Sequence, residues 1–251
     1  MDNLFPIVRV FAGALMAVAA FTIRPLQAQR GPTLVRTPDP PPKVVQPFSV
    51  LKQQPALQFL SGACPPVTRP VSKRVPILTD LYCRVKNPDY FADPREPDDL
   101  VTHVHELTHG VSNRLHATTQ AHGIYLLDGK GIVLKHPNIT IEQVANSVPP
   151  EKRGRIFDLY LVQQRKDWNR SPIYLLDEHN AYIHGTIAHK QLGLGKDRWE
   201  TYSHAKEMEG YVQEMVKVVE KRDPGYADMT RLKAFVEWQS DRLAQLGTKG
   251  D

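Results

Sequence analysis

The spacing of hydrophobic positions changes several times along the chain, and each change predicts an element. Val10 to Ile23 is an unbroken run of fourteen apolar or small residues. Residues 29–47 carry six prolines and no apolar period, which predicts an extended linker or pro-segment. From Phe48 to Pro97 proline stays frequent, and the clusters Leu57-Phe59-Leu60 and Val75-Ile77-Leu78 predict short strands or turns rather than helices. Leu100, Val104, Leu107, Val111 and Leu115 then follow at three- and four-residue spacing, the apolar stripe of a helix with Asp98 or Asp99 as its N-cap. After Gly123 the period shortens. Ile124 to Leu127 and Ile132 to Leu134 flank Asp128-Gly129-Lys130-Gly131 and predict a β-hairpin. Thr140 and Gln143 fit a capping box opening a short helix that stops before Pro149, and a further helix is expected over Arg155 to about Lys166. Pro172 suits the first turn of a helix running to about Gln191. Two more helices, about 197–221 and 226–246, are separated by Asp223-Pro224-Gly225. The expected fold class is α+β, mainly α-helical, with one domain over residues 48–251.

Composition narrows the setting. With 41% hydrophobic and 24% charged residues the chain has the balance of a soluble protein with one substantial core. The apolar run after Arg9, ending in Leu26-Gln27-Ala28, reads as a signal peptide over residues 1–28. As a helix the run would span about 21 Å, short of the ~30 Å hydrocarbon core of a membrane. The expected location is therefore secreted or periplasmic, with no stable membrane span after processing. Losing Asp2, Arg9 and Arg24 lowers the formal charge from +5 to +4, and the basic residues form no stripe, so no nucleic-acid partner is expected. Cys64 and Cys83 in an exported chain favour a disulfide, the alternative being a Cys64 thiolate that blocks a metal in a latent form. Asn138-Ile139-Thr140 is a glycosylation sequon whose threonine is equally explained by helix capping.

Candidate chemistry is concentrated in His105-Glu106-Leu107-Thr108-His109, an H-E-x-x-H pattern on the predicted helix. Residues four apart lie about 40° apart around a helix axis, so both imidazoles can grip one metal ion. Glu106, turned by about 100°, suits the general base that deprotonates an attacking water. A metzincin continuation would need glycine at 112 and histidine at 115, where Ser112 and Leu115 stand. A catalytic zinc takes three protein ligands, so a third is required from elsewhere. Glu142 and Glu151 fall near helix ends, and Glu200, Glu207 and Glu214 repeat every seven residues on a face expected to be solvated. Glu178 stands among apolar residues, where a carboxylate is costly without a cation; His179 is the alternative ligand, and His103 is expected in an outer shell or at the surface.

With these residues the chain resembles the gluzincins, zinc metallopeptidases that bind their ion through H-E-x-x-H and a glutamate on a second helix. The resemblance covers two helices. It implies a zincin-like active-site helix, Zn2+ held by His105, His109 and Glu178, Glu106 as general base, and a peptide or protein substrate. Many gluzincins place an aspartate four residues after the ligand glutamate to orient a ligand histidine; this chain has Tyr182 there. The Tyr182 hydroxyl is a candidate catalytic donor to the oxyanion, or else simply packs against the helix. The hairpin either offers an edge strand to an extended substrate or is structural. The expected function is that of an exported zinc-dependent peptidase, the alternative a non-catalytic zinc-binding or helical interaction protein.

Overall fold

The H-E-x-x-H segment lies on α2 (Pro97–Thr119), which packs against the hairpin, the helix before it and the buried helix Tyr174–Gln191. Its predicted stripe, Leu100, Val104, Leu107, Val111 and Leu115, is buried throughout. The computed structural model describes residues 57–59, 74–85, 97–119, 121–195 and 200–248. The expected signal peptide, the proline-rich segment and Cys64 lie outside these described residues, all of which belong to one compact unit within Val45–Asp251. Because α2 starts at Pro97, Asp98 and Asp99 occupy its first turn rather than capping it. Proline suits that start, since its missing N–H has no intrahelical partner to lose.

A three-stranded antiparallel sheet of order β1–β3–β2 lies on α2. Strand β1 is Leu57–Phe59, β2 is His122–Leu127 and β3 is Lys130–Leu134, with Ile124 opposite Ile132. The hairpin turn bends through positive φ at Leu127, Asp128 and Gly129, the last at 72°. Gly123 brings β2 down onto α2, since a Cβ there would collide with Leu115.

The segment after Val75 is a helix rather than a strand or turn. Helix α1 (Ile77–Arg84) buries Ile77, Leu78, Leu81 and Tyr82 against α2. Thr79 is exposed and Asp80 only half-buried, so the apolar spacing is helical once residues beyond the Val75-Ile77-Leu78 cluster are counted. Arg84 and Asp80 form an ion pair at 2.8 Å, and the Tyr125 hydroxyl donates to Asp80, fastening α1 to the hairpin.

The capping box is present at α3 (Ile141–Ser147), where Thr140 accepts from the Gln143 N–H and Gln143 reaches back to Thr140 N. The helix expected over Arg155–Lys166 is instead a π-helical turn, Asp158–Gln163, followed by the short α4 (Arg165–Trp168). The Gln164 N–H donates to the Leu159 carbonyl five residues back, at 3.0 Å, and Tyr160 is buried in this turn. Helix α5 (Tyr174–Gln191) is buried on nearly every side by α2, β2, α6 (Glu200–Arg222) and α7 (Met229–Thr248). It runs antiparallel to α2, for Asp177 meets Ser112 while the later Gly185 faces Val101. Gly185 also lets α5 approach α6 closely, because a Cβ there would lie 2.8 Å from Thr201 Cγ2. The fold is α+β and mainly α-helical, and no helix among the described residues is long and apolar enough to cross a membrane.

Candidate functional site

Where α2 crosses α5, three buried side chains converge. His105 Nε2 and His109 Nε2 are 3.1 Å apart, His105 Nε2 is 3.3 Å from Glu178 Oε2, and His109 Nε2 is 3.4 Å from Glu178 Oε1. Ligands about 2.0–2.1 Å from a tetrahedral zinc stand roughly 3.3–3.4 Å from one another, so this triangle has the size of one face of such a site. Among the described residues it is the one group of three or more His, Cys, Asp or Glu whose donor atoms already converge in this way.

The charges fit a cation as well. Glu178 is fully buried, and neither of its oxygens has a partner in hydrogen-bonding geometry. Burial alone would raise its pKa, but His109 and His105 outweigh that and hold the carboxyl down at about 2. An ionised carboxylate is thus kept in a dry interior against two imidazoles, at a desolvation cost that a metal ion would offset.

The tautomer of His109 is set by Asp177, the residue just before Glu178. His109 Nδ1–H donates to Asp177 Oδ2 at 2.7 Å, so Nε2 is the nitrogen turned to Glu178. Burial is outweighed by Glu178 and Asp177, which raise the His109 pKa, and a metal ion would take the place of the proton on Nε2. Asp177 also accepts from the Ser112 hydroxyl at 2.7 Å, and Ser112 Oγ accepts from the Tyr125 N–H of β2 at 3.1 Å. The polarised chain from Tyr125 through Ser112 and Asp177 to His109 supplies the orienting carboxylate that Tyr182 cannot. The Tyr125 carbonyl accepts from Asn180 Nδ2 at 2.6 Å. Both polar backbone groups of Tyr125 are therefore taken by the two site helices, and the hairpin edge is not free there to pair with an extended substrate.

Glu106 lies beside the triangle, 8% exposed, with Oε1 buried and unpartnered. Burial raises its pKa against the pull of His105 and His109, an environment suited to accepting a proton. Tyr182 sets its ring edge-on to that of His105 with centroids 4.7 Å apart, and its hydroxyl is 2.8 Å from that of Tyr160 on the π-helical turn. Burial, then the charge of Glu178, push the Tyr182 pKa well above the ordinary phenol value, so it stays a neutral hydroxyl. The His204 ring, from α6, lies 5.5 Å from that of Tyr182 and completes this wall.

The other candidates are placed elsewhere. His179 turns toward α7 and shares a hydrogen bond with Gln239 at 3.2 Å. His103 is buried, 2.8 Å from the Tyr82 hydroxyl of α1, not at the surface. Glu142 pairs with Arg165, and Glu200 with Arg155. The supposed solvated face of α6 is only partly so: Glu214 is buried beside Lys217, and Glu207 accepts from the N–H groups of Arg155 and Ile156. Residues missed by pattern reading are Asp177, Ser112, Tyr160 and His204. The sole sequence signal for any of them is Ser112, three residues after His109 on the same face. No known protein family, curated protein or solved structure matches the chain.

Proposed function

We propose that the protein is a zinc-dependent peptidase, acting outside the cytoplasm, with His105, His109 and Glu178 as metal ligands and Glu106 as general base. The observation that carries this reading is the buried triangle of 3.1, 3.3 and 3.4 Å with an unpartnered carboxylate beside it. Bound there, the ion supplies a Lewis acid that makes water nucleophilic near neutral pH. Glu106 takes the proton of the attacking water and returns it to the leaving amine. Asp177 keeps His109 in the Nδ1–H tautomer throughout. If Tyr160 donates to the Tyr182 oxygen, the Tyr182 proton is directed to the oxyanion of the substrate. The test is peptide cleavage by the zinc-loaded protein and by its Glu106→Gln variant: cleavage by the first alone supports the proposal, and equal rates refute it.

A further inference from the structure

A second group of histidines lies where α2 hands over to β2, apart from the ligand triangle. His116 is in the last turn of α2, His122 opens β2, and His136 follows the end of β3. Because His122 pairs with Leu134, the last residue of β3, His136 lies two residues beyond its cross-strand partner. The rings of His122 and His136 are 5.2 Å apart, and those of His116 and His122 are 6.1 Å apart, both pairs edge to face.

Three unrelated side chains would not need to be histidine to fill this corner, and their nitrogens are not used as packing would require. His122 Nε2 and His136 Nδ1 are both buried without a hydrogen-bond partner. His116 Nδ1–H donates to the Ala121 carbonyl at 2.9 Å, so its Nε2 carries a lone pair. An unpartnered buried imidazole nitrogen is costly. Each residue is nonetheless partly exposed, which leaves a way in from solvent. Burial holds His122 and His136 at pKa values of about 4, so both are neutral and ready to coordinate at physiological pH.

We propose that His116, His122 and His136 form a second metal site, taking a late divalent transition ion such as Zn2+ or Cu2+ through three neutral imidazoles, with water completing the shell. An all-nitrogen donor set selects these ions over Mg2+ and Ca2+. The three donor atoms are not yet convergent in the way those of His105, His109 and Glu178 are. Closing the site therefore involves a side-chain rotation that brings the three rings together. The site does not depend on the peptidase reading.

The test is metal stoichiometry after equilibrium dialysis against Zn2+, on the wild type, a His105→Ala/His109→Ala variant and a His122→Gln/His136→Gln variant. Two ions per chain in the wild type and one in each variant are expected. Loading the His105→Ala/His109→Ala variant with Cu2+ should give an electron paramagnetic resonance spectrum with imidazole-nitrogen splitting, and adding His116→Gln should weaken that binding at least tenfold. No ion bound by the His105→Ala/His109→Ala variant, or as many ions bound by His122→Gln/His136→Gln as by the wild type, overturns the site. If the His122→Gln/His136→Gln variant fails to fold, the count on the His105→Ala/His109→Ala variant and the spectrum still decide the matter.

Discussion

Replacing Asp177 by asparagine separates the orienting role of this side chain from its bulk. Asparagine keeps the shape but has one acceptor where the carboxylate has two. If its oxygen faces His109 Nδ1–H, its NH2 group meets a Ser112 hydroxyl that has lost the acceptor now 2.7 Å away. If the amide is turned over, its NH2 meets His109 Nδ1 and drives the imidazole to the Nε2–H tautomer, which cannot coordinate. Either orientation weakens the site. Loss of such an outer partner costs about 10- to 100-fold in metal affinity, roughly 1.4–2.7 kcal/mol. Competition with a chromophoric zinc chelator at pH 7.5 measures it directly. Ser112→Ala should have a smaller effect alone and almost none on top of Asp177→Asn, because it acts through the same carboxylate. An Asp177→Asn protein binding zinc as tightly as the wild type would refute the orienting role.

Glu106→Gln should retain zinc and lose turnover by several orders of magnitude, as single-turnover cleavage beside metal analysis will reveal. Tyr182→Phe should lower turnover by about 100-fold or more with zinc affinity unchanged; if neither changes, the hydroxyl has no part in the reaction. Gly185→Ala forces a Cβ to within 2.8 Å of Thr201 Cγ2 and should destabilise the fold by about 1–3 kcal/mol in urea unfolding, whereas an unchanged midpoint would mean that α5 and α6 yield there at no cost. His184, fully buried with Nδ1 3.0 Å from Thr108 Oγ1, is held by burial well below its ordinary pKa. Its stabilising contribution is complete above the unfolded-state value of about 6.5 and is lost as pH falls below that toward the folded value. His184→Gln should therefore flatten the decline in stability from pH 7 to pH 5, and parallel declines in the two proteins would count against it.

Elements whose burial has one clear period were legible from the chain alone. The stripe of α2 and the capping box of α3 are local patterns, and the structure carries both. Glu178 stood out because a carboxylate among apolar residues needs a reason. The remainder depended on tertiary contacts. α5 is buried nearly all round, so its polar residues Asp177, His179, Asn180 and His184 give no amphipathic signal by which to sort them. Asp177 and Glu178 differ by about 100° in direction, and only the packing of α2 and β2 sends the first to His109 Nδ1 and the second to Nε2. The role of Ser112 rests on a backbone N–H of the hairpin, which no side-chain pattern reports. Glu207 misled for a related reason: its seven-residue repeat matched a solvated face, while the turn at Gly154 presents backbone donors to its carboxylate.

The most direct test is to quantify zinc and peptide cleavage on the same preparations of the wild type, Glu178→Ala and Glu106→Ala. The arrangement of His105, His109 and Glu178 predicts that the wild type binds zinc at this site and cleaves, that Glu106→Ala binds zinc there without cleaving, and that Glu178→Ala loses that ion and activity together. Zinc binding unchanged by Glu178→Ala, or cleavage by Glu106→Ala at the wild-type rate, would contradict the account.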